Sequence, residues 1–487
     1  MKKTWIYTIL LVVSVTFTSC FEDIDDNAIS ETDIKDFVWK GLNQWYFWQQ
    51  TVTDLADDRF ANSTEYTDFL NSYDSPDVLF EALLSPEDRF SWIVDDYFAL
   101  NNTLNGVTKN NGMSFGVGNI TVGSQTTFGG IVQYILPNTS ASTSNLERGD
   151  IFLTVNGTQL TQNNYLSLLF SSNDTYTIGL AEIDANDNLV LTGETVTLTK
   201  QVYEENPIFI ANTFTVDGIK VGYLMYNRFT SNYDQQLNDV FGDFIAEGVQ
   251  DLVVDLRYNP GGSVSSAIHL ASMIAGEPNS ALFLRQRWNE KIQAVFTEEE
   301  VSRYFVNQLP DGTPINSLNL NKVYILAQRS SASASELLIN GLEPHISELI
   351  HIGNTTRGKN EFSITLYDNP DCSYLNFSGC SGSINPNHTW AMQPLVGKNE
   401  NANGFYQYEN GLAPDFQLIE DIENFGVLGD QNEPLLARAI QHITGNGRFG
   451  FTTESHASFE SLDQSNLHTL TKDNMYLEPE DIPNLYK

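Results

Sequence analysis

Apolar residues recur at spacings of three and four from Ser30 to about Leu100, where Ile34, Phe37, Val38, Leu42 and Trp45 would share one helical face. The stretch SPDVLFEALLSPEDRFSWI keeps that rhythm. Each of its Ser-Pro pairs reads as a helix start, with proline at the first helical position. Residues 31–103 are therefore expected to form an N-terminal helical domain whose tryptophans pack as a cap or brace. Between about Asn105 and Lys200 the period shortens to alternating strands broken by Gly, Asn and Ser. From Tyr203 onward strands and helices alternate. VGYLMYNRF and LVVDLRY predict strands, SSAIHLASMIAG a helix, KVYILAQ a strand and SELLINGL a second helix. That succession implies an α/β layer with a mostly parallel sheet. Beyond Gly445 the chain is polar, and residues 446–487 are expected to be a tail without assigned elements.

The length of 487 residues fits two to four domains. With 25 basic against 62 acidic residues the net charge is −37, and no basic stripe is present to displace counterions from phosphate. Nucleic acid is excluded as a partner. Lys2 and Lys3 precede an apolar stretch from Ile6 to Phe17, which is shorter than the roughly 20 residues that span a bilayer. Residues 1–20 thus read as an export signal. Its end, Phe17-Thr18-Ser19-Cys20, resembles the lipobox of bacterial lipoproteins, although the family pattern prefers Leu where Phe17 stands. The resemblance implies that Cys20 is lipidated and becomes the mature N-terminus; an ordinary cleaved signal with an incidental cysteine is the alternative. Residues 21–30 would then be a tether, with Glu22, Asp23, Asp25 and Asp26 either a solvated linker or a surface-export signal. The expected location is the outer membrane, on its periplasmic or cell-surface face, with membrane contact only through the N-terminal lipid. Cys372 and Cys380, in DCSYLNFSGC, either close a loop disulfide or remain free thiols. Two thiols alone do not make a metal site.

Three segments carry chemistry. In KVYILAQRSSASASELLINGL a strand runs through small residues into a helix. A serine at that junction meets outward-pointing N–H groups and the positive end of the helix dipole. Ser331, Ser333 and Ser335 would otherwise serve as helix caps. In GNTTRGKNEF, Lys359 follows a glycine in a polar turn. A lysine becomes a general base only if burial brings its pKa down from about 10.4. In VVDLRYNPGG a buried strand ends in a turn whose backbone can approach another group closely. Such a turn either ends the strand and nothing more or supplies an oxyanion-hole N–H.

Two family resemblances connect these segments. NGMSFGVG followed by GGIVQYILPNTSASTSNLERGDIFLTVNGTQL resembles a PDZ domain over residues 104–202. There Ser114, Phe115, Gly116 and Val117 match the loop that binds a peptide's terminal carboxylate. DLRYNPGG, then SASASE, then the Gly-Lys turn resembles the catalytic domain of the C-terminal processing peptidases, or tail-specific proteases; with the PDZ-like segment the resemblance covers about residues 105–420, and it implies a catalytic domain at 203–445. The resemblance implies Ser333 as nucleophile, Lys359 as general base, and an oxyanion hole from Ala334 with Gly261 or Gly262. It implies protein or peptide substrates with free C-termini, no cofactor and no metal. Pro414 and Asp415 fall on the family's later Gly-x-x-Pro-Asp segment. One departure is Ser363, which stands where well-studied members carry a glutamine that positions the lysine. Glu361 is another, since a carboxylate near Lys359 would favour its charged form. Residues from about Tyr367 to His388 read as an insertion.

The implied fold is a multidomain α/β (α+β) protein: a helical N-terminal domain, a PDZ-like β-rich domain and an α/β serine peptidase core. A Ser-His-Asp triad is disfavoured, because His269 lies in an apolar helical run and His345 and His351 flank a strand. The alternative function is a binding protein for C-terminal peptides or apolar ligands on the same scaffold, which would not need both Ser333 and Lys359.

Overall fold

The computed structural model describes residues 30–377, 380–445 and 456–483. The export signal, Cys20 and the tether up to residue 29 lie outside the described residues.

The helix Glu31–Trp45 buries Ile34, Phe37, Val38, Leu42 and Trp45, as their spacing on one face requires. These side chains do not close a core of their own. Phe37, Val38, Leu42 and Trp45 join one apolar cluster with Phe283, Leu284, Trp288 and Phe362 from the later α/β region. Trp45 Nε1 also donates to the Ser373 carbonyl at 2.8 Å. Ser75-Pro76 opens the helix Pro76–Ala82, but Ser85-Pro86 opens only a turn. There the Ser85 N–H donates to the Tyr46 hydroxyl at 2.9 Å. Asp88 Oδ1 accepts from the N–H groups of Phe90 and Ser91, each at 2.9 Å. These bonds bend the chain toward the strand Trp92–Val94 instead of winding it.

Most of the β-rich region forms one sheet, and Val107–Asn110 pairs apart from it with Gln201–Glu204. Met113–Val122 and Gln125–Ile135 pair antiparallel, from Met113 opposite Ile135 to Val122 opposite Gln125. Ile151–Val155, Thr175–Ile183 and Leu189–Thr199 extend it, over a core that includes Phe115, Val132, Phe152 and Leu169.

In the α/β region Ile219–Tyr226, Asp251–Asp255, Lys322–Ala327, Glu348–Gly353 and Phe416–Gln417 run parallel, with Ile208–Val216 antiparallel at one edge. Asp251–Asp255 is buried throughout, hence the apolar Leu252, Val253 and Val254 between its two terminal aspartates. The chain turns into the helices Val264–Ala275 and Ala334–Leu342 beyond the carboxyl ends of adjacent strands. That end of an open α/β sheet is where ligands bind.

Of the polar stretch after 445, the described residues 456–483 fold by joining existing strands. Ala457–Gln464 adds an antiparallel strand to Met113–Val122. Met475–Tyr476 enters a second sheet between Gly262–Ser263 and Glu361–Ser363, where Met475 and Leu477 are buried. Cys372 and Cys380 are disulfide-bonded, with Cα atoms 5.8 Å apart. Among the described residues no helix is long and apolar enough to cross a membrane.

Candidate active site

Ser333 stands at the N-cap of the helix Ala334–Leu342 with φ 63° and ψ −114°, a conformation that residues with a Cβ rarely adopt. Its neighbours explain how the turn is held. Ser330 Oγ donates to the Arg257 carbonyl, Ser331 Oγ to the Leu256 carbonyl at 2.7 Å, and Ser335 Oγ to the Asn259 carbonyl at 3.0 Å. The Ala332 N–H donates to the same Asn259 carbonyl at 3.1 Å. Those flanking hydroxyls therefore sew the serine turn to the DLRYNPGG loop. Ser333 Oγ alone is buried with no hydrogen-bond partner, a state that costs about 1–3 kcal/mol. The strained N-cap thus carries a buried hydroxyl without a partner at the head of this helix.

The loop beside it is ordered from within. Asn259 Nδ2 donates to the Tyr226 carbonyl at 2.7 Å, and Asn259 Oδ1 accepts from the Gly261 N–H at 2.8 Å. Gly261 has φ 109°, and a Cβ there would lie 2.6 Å from Ser333 Cβ and 2.9 Å from the Ala334 nitrogen. The Gly261 N–H is thus engaged within the loop, and Gly262 pairs with Met475 in a second sheet. Ala334 is the first helical residue, so its N–H has no acceptor within the helix. Gly261→Ala is expected to push Ser333 aside and lower turnover about 100-fold or more, read from initial rates beside a thermal melt. Unchanged turnover would show that the close approach is irrelevant.

Beneath this loop Arg257 is fully buried and paired with Asp255 at 2.7 Å and with Glu433 at 2.6 Å. Glu420 accepts from both Arg257 and Arg148. Paired and hydrogen-bonded charges of this kind are tolerated in the interior and fix the geometry of what they carry.

Lys359 is 1 % exposed. Its Nζ donates to the Asp473 carbonyl at 2.8 Å, stands 3.5 Å from Asn474 Oδ1, and lies 4.8 Å from the centre of the Phe90 ring. Burial is the largest influence on its pKa and holds it below the ordinary lysine range; the carboxylates of Asp473, Glu361, Asp88 and Glu336 oppose that fall, Asp473 most strongly. Two of these charges are themselves compensated, Asp473 by Arg357 at 3.3 Å and Glu361 by Lys398 at 3.4 Å. Asp473→Asn is expected to lower the lysine pKa further and to move the rising limb of the pH–rate profile to lower pH. A limb that stays in place or moves up would contradict this assignment.

Glu336, the last residue of SASASE, ties the two turns together. Its Oε2 accepts from the N–H groups of Ser333 and Lys359, each at 2.9 Å, while Oε1 accepts from the Gly358 N–H at 2.6 Å and from the Thr356 hydroxyl. Burial raises its pKa to about 6, and the four donated hydrogen bonds hold it from going higher. The structure thus joins Ser333 and Lys359 through their backbones; Ser333 Oγ and Lys359 Nζ are not hydrogen-bonded to each other. The sequence reading gave Glu336 no role, although a glutamate three residues after a serine cap is a recognisable pattern. Nothing in the sequence signalled Asp473 and Asn474. Ser363 Oγ lies 2.7 Å from Asn474 Oδ1, so this asparagine stands between Ser363 and the lysine.

Ser114, Phe115, Gly116 and Val117 lie on the strand Met113–Val122 that receives Ala457–Gln464, with the Phe115 N–H donating to Ser465 Oγ at 3.0 Å. His269 pairs with Asp234 at 2.6 Å, and His345 contacts the Leu282 carbonyl; no histidine bonds Ser333 Oγ. Among the described residues no group of three or more His, Cys, Asp or Glu is placed to hold a metal.

Residues 220–394, which contain Gly261, Ser333 and Lys359, match Peptidase family S41, and residues 33–92 match the Peptidase S41 N-terminal domain. The chain carries peptidase family S41 domains. The S41 N-terminal segment reaches the site directly, through Phe90 over the lysine and through Arg89, which donates to the Gly358 carbonyl at 2.6 Å. A carboxyl-terminal-processing protease of Picosynechococcus sp. is 26% identical over 180 residues, 37% of this chain and 38% of that one. The chloroplastic C-terminal processing peptidase of Tetradesmus obliquus is 25% identical over 239 residues, 46% of each chain. The chain thus spans less than half the length of these curated relatives. The crystal structure of a Bacteroides fragilis NCTC 9343 protein described as an S41 protease superposes with TM-score 0.64 at 22% identity, over 84% of this chain and 97% of that one. That likeness establishes a shared fold.

Proposed function

We propose that the protein is a serine endopeptidase that recognises protein substrates by their free C-termini, with Ser333 and Lys359 as its dyad. The observation that carries this reading is the buried, unpartnered Ser333 hydroxyl on a strained N-cap, tied through Glu336 to the turn of a buried lysine. In the reaction neutral Lys359 takes the Ser333 proton as Oγ attacks the peptide carbonyl. The Ala334 N–H, with that of Gly261 or Gly262, holds the oxyanion, worth about 3 kcal/mol for one such donor. The lysine returns the proton to the leaving amine, and water then hydrolyses the acyl-enzyme. Asp473 and Asn474 support the lysine in place of the family glutamine that Ser363 replaces. A PDZ-like role for residues 104–202, in which Ser114–Val117 receive the substrate carboxylate, supplies the tail recognition. The same proposal places the mature N-terminus at a lipidated Cys20, anchoring the enzyme to the outer membrane.

The test compares one unfolded protein substrate with a free and with an amidated C-terminus, products being read by mass spectrometry. Cleavage of the free form, slowed more than about tenfold by amidation, is expected. Equal cleavage of both would remove tail recognition, and cleavage of neither would favour a binding protein.

A further inference from the structure

The strand Ala457–Gln464 lies on Met113–Val122 with Gln464 opposite Gly116 and Ala457 opposite Val122. It is antiparallel, and its C-terminal end points at Ser114–Val117. A peptide entering that groove tail-first by strand addition would lie the same way. Further contacts fix the strand from both sides. The Phe115 N–H donates to Ser465 Oγ at 3.0 Å. Tyr165, on the short helix Tyr165–Leu169, donates to Asp463 Oδ2 at 2.9 Å. His468 pairs with the same carboxylate at 2.6 Å and stacks on Phe170 with ring centres 3.7 Å apart. Gly118 admits the strand, since a Cβ there would fall 2.0 Å from the Glu460 carbonyl oxygen.

The hold is partial. Ser458, Glu460, Ser461 and Leu462 are exposed, and the strand is paired along one edge only. A cavity of about 480 Å³ lined by Phe115, Leu169, Phe170 and Tyr176 opens beside Ser465 and His468 without being filled. Further on the chain is anchored differently. Arg228 donates to the hydroxyls of Thr469 and Thr471, and Met475–Tyr476 is enclosed between two strands. The first strand can therefore leave while the segment on Lys359 stays.

We propose that Ala457–His468 is a resident ligand of this groove, and that substrate tails enter by displacing it. The resident strand also defines what fits: an extended peptide with an acidic residue two positions before its end, as Asp463 precedes Ser465. The terminal carboxylate takes the Phe115 N–H from Ser465, and an apolar last side chain fills the cavity. This rests on the reading of the protein as a tail-recognising peptidase, and its test uses binding, so that the two can fail separately.

The full chain carrying Ser333→Ala is titrated with the fluorescent peptide ASFESLDQF bearing a free carboxylate. Asp463→Ala, added to that chain, loosens the resident strand and is expected to raise peptide affinity about fivefold or more; unchanged affinity would overturn the proposal. Asn119→Cys with Glu460→Cys, at positions directly opposite each other, staples the strand in place on oxidation. Peptide binding is expected to vanish in the oxidised form and return with reductant, while the unstapled chain binds alike in both conditions. Equal binding to the stapled and reduced forms would equally overturn the displacement. Staple-dependent binding, together with no cleavage of any substrate by the chain that retains Ser333, would uphold the groove assignment and defeat the peptidase reading instead.

Discussion

Ser333→Ala is expected to abolish peptide cleavage, by about 10⁴-fold or more, while leaving the fold as stable as before or slightly more so. The two halves of that expectation come from one observation. Ser333 Oγ makes no hydrogen bond, so its removal breaks none and relieves a buried polar atom of its desolvation. The backbone at φ 63° is held by Glu336 through the Ser333 N–H and by the hydroxyls of Ser330, Ser331 and Ser335, none of which the substitution touches. Initial rates and a thermal melt on the same preparation check both halves. A variant that loses activity together with its melting transition would show instead that the hydroxyl is structural.

The second large effect concerns Lys359. Lys359→Met is expected to lower turnover about 10²–10⁴-fold without destabilising the protein. Burial disfavours the ammonium form and is the largest influence on this lysine, so its folded pKa lies below the unfolded value of about 10.4. Below the folded pKa the amine is protonated and cannot accept the Ser333 proton; cleavage therefore rises with pH through that value. The stability sign follows from proton binding. Between the folded and unfolded pKa the unfolded chain holds the extra proton, so stability rises with pH across that window and is lowest below it. Methionine removes this penalty, and the variant should melt at or above the wild type, with the difference largest on the acid side. Melting curves across about pH 6 to 10 measure it. A variant less stable than the wild type at every pH would make Lys359 a structural anchor through its bond to the Asp473 carbonyl.

How much of this was legible beforehand depends on the kind of residue. Gly261, Ser333 and Lys359 sit in short motifs whose residue types have local physical reasons, a close approach, a helix start and a turn after a buried strand. The parallel strands were legible because burial on both faces leaves short apolar runs such as Leu252-Val253-Val254. Ser85-Pro86 misled, because tertiary bonds from Tyr46 and Asp88 outweigh the local preference for a helix start. The segment after Gly445 was illegible for a different reason. Ala457–Gln464 and Met475–Tyr476 carry no apolar period, and their structure comes from main-chain pairing with edges more than a hundred residues away. Asp473 and Asn474, which contact the lysine, inherit that obscurity. Glu336 lay in plain view in SASASE, but only the fold shows that one carboxylate gathers donors from both turns.

The central claim is that Ser333 is a nucleophile activated by Lys359. The most direct measurement is the rate of covalent labelling by a fluorophosphonate, with the adduct located by peptide mass spectrometry, across about pH 6 to 9 in wild type and in Lys359→Met. The account predicts a single adduct on Ser333, forming faster as pH rises, with both the rate and its pH dependence lost in the variant. Labelling of another residue, or labelling of Ser333 that ignores the lysine, would contradict it.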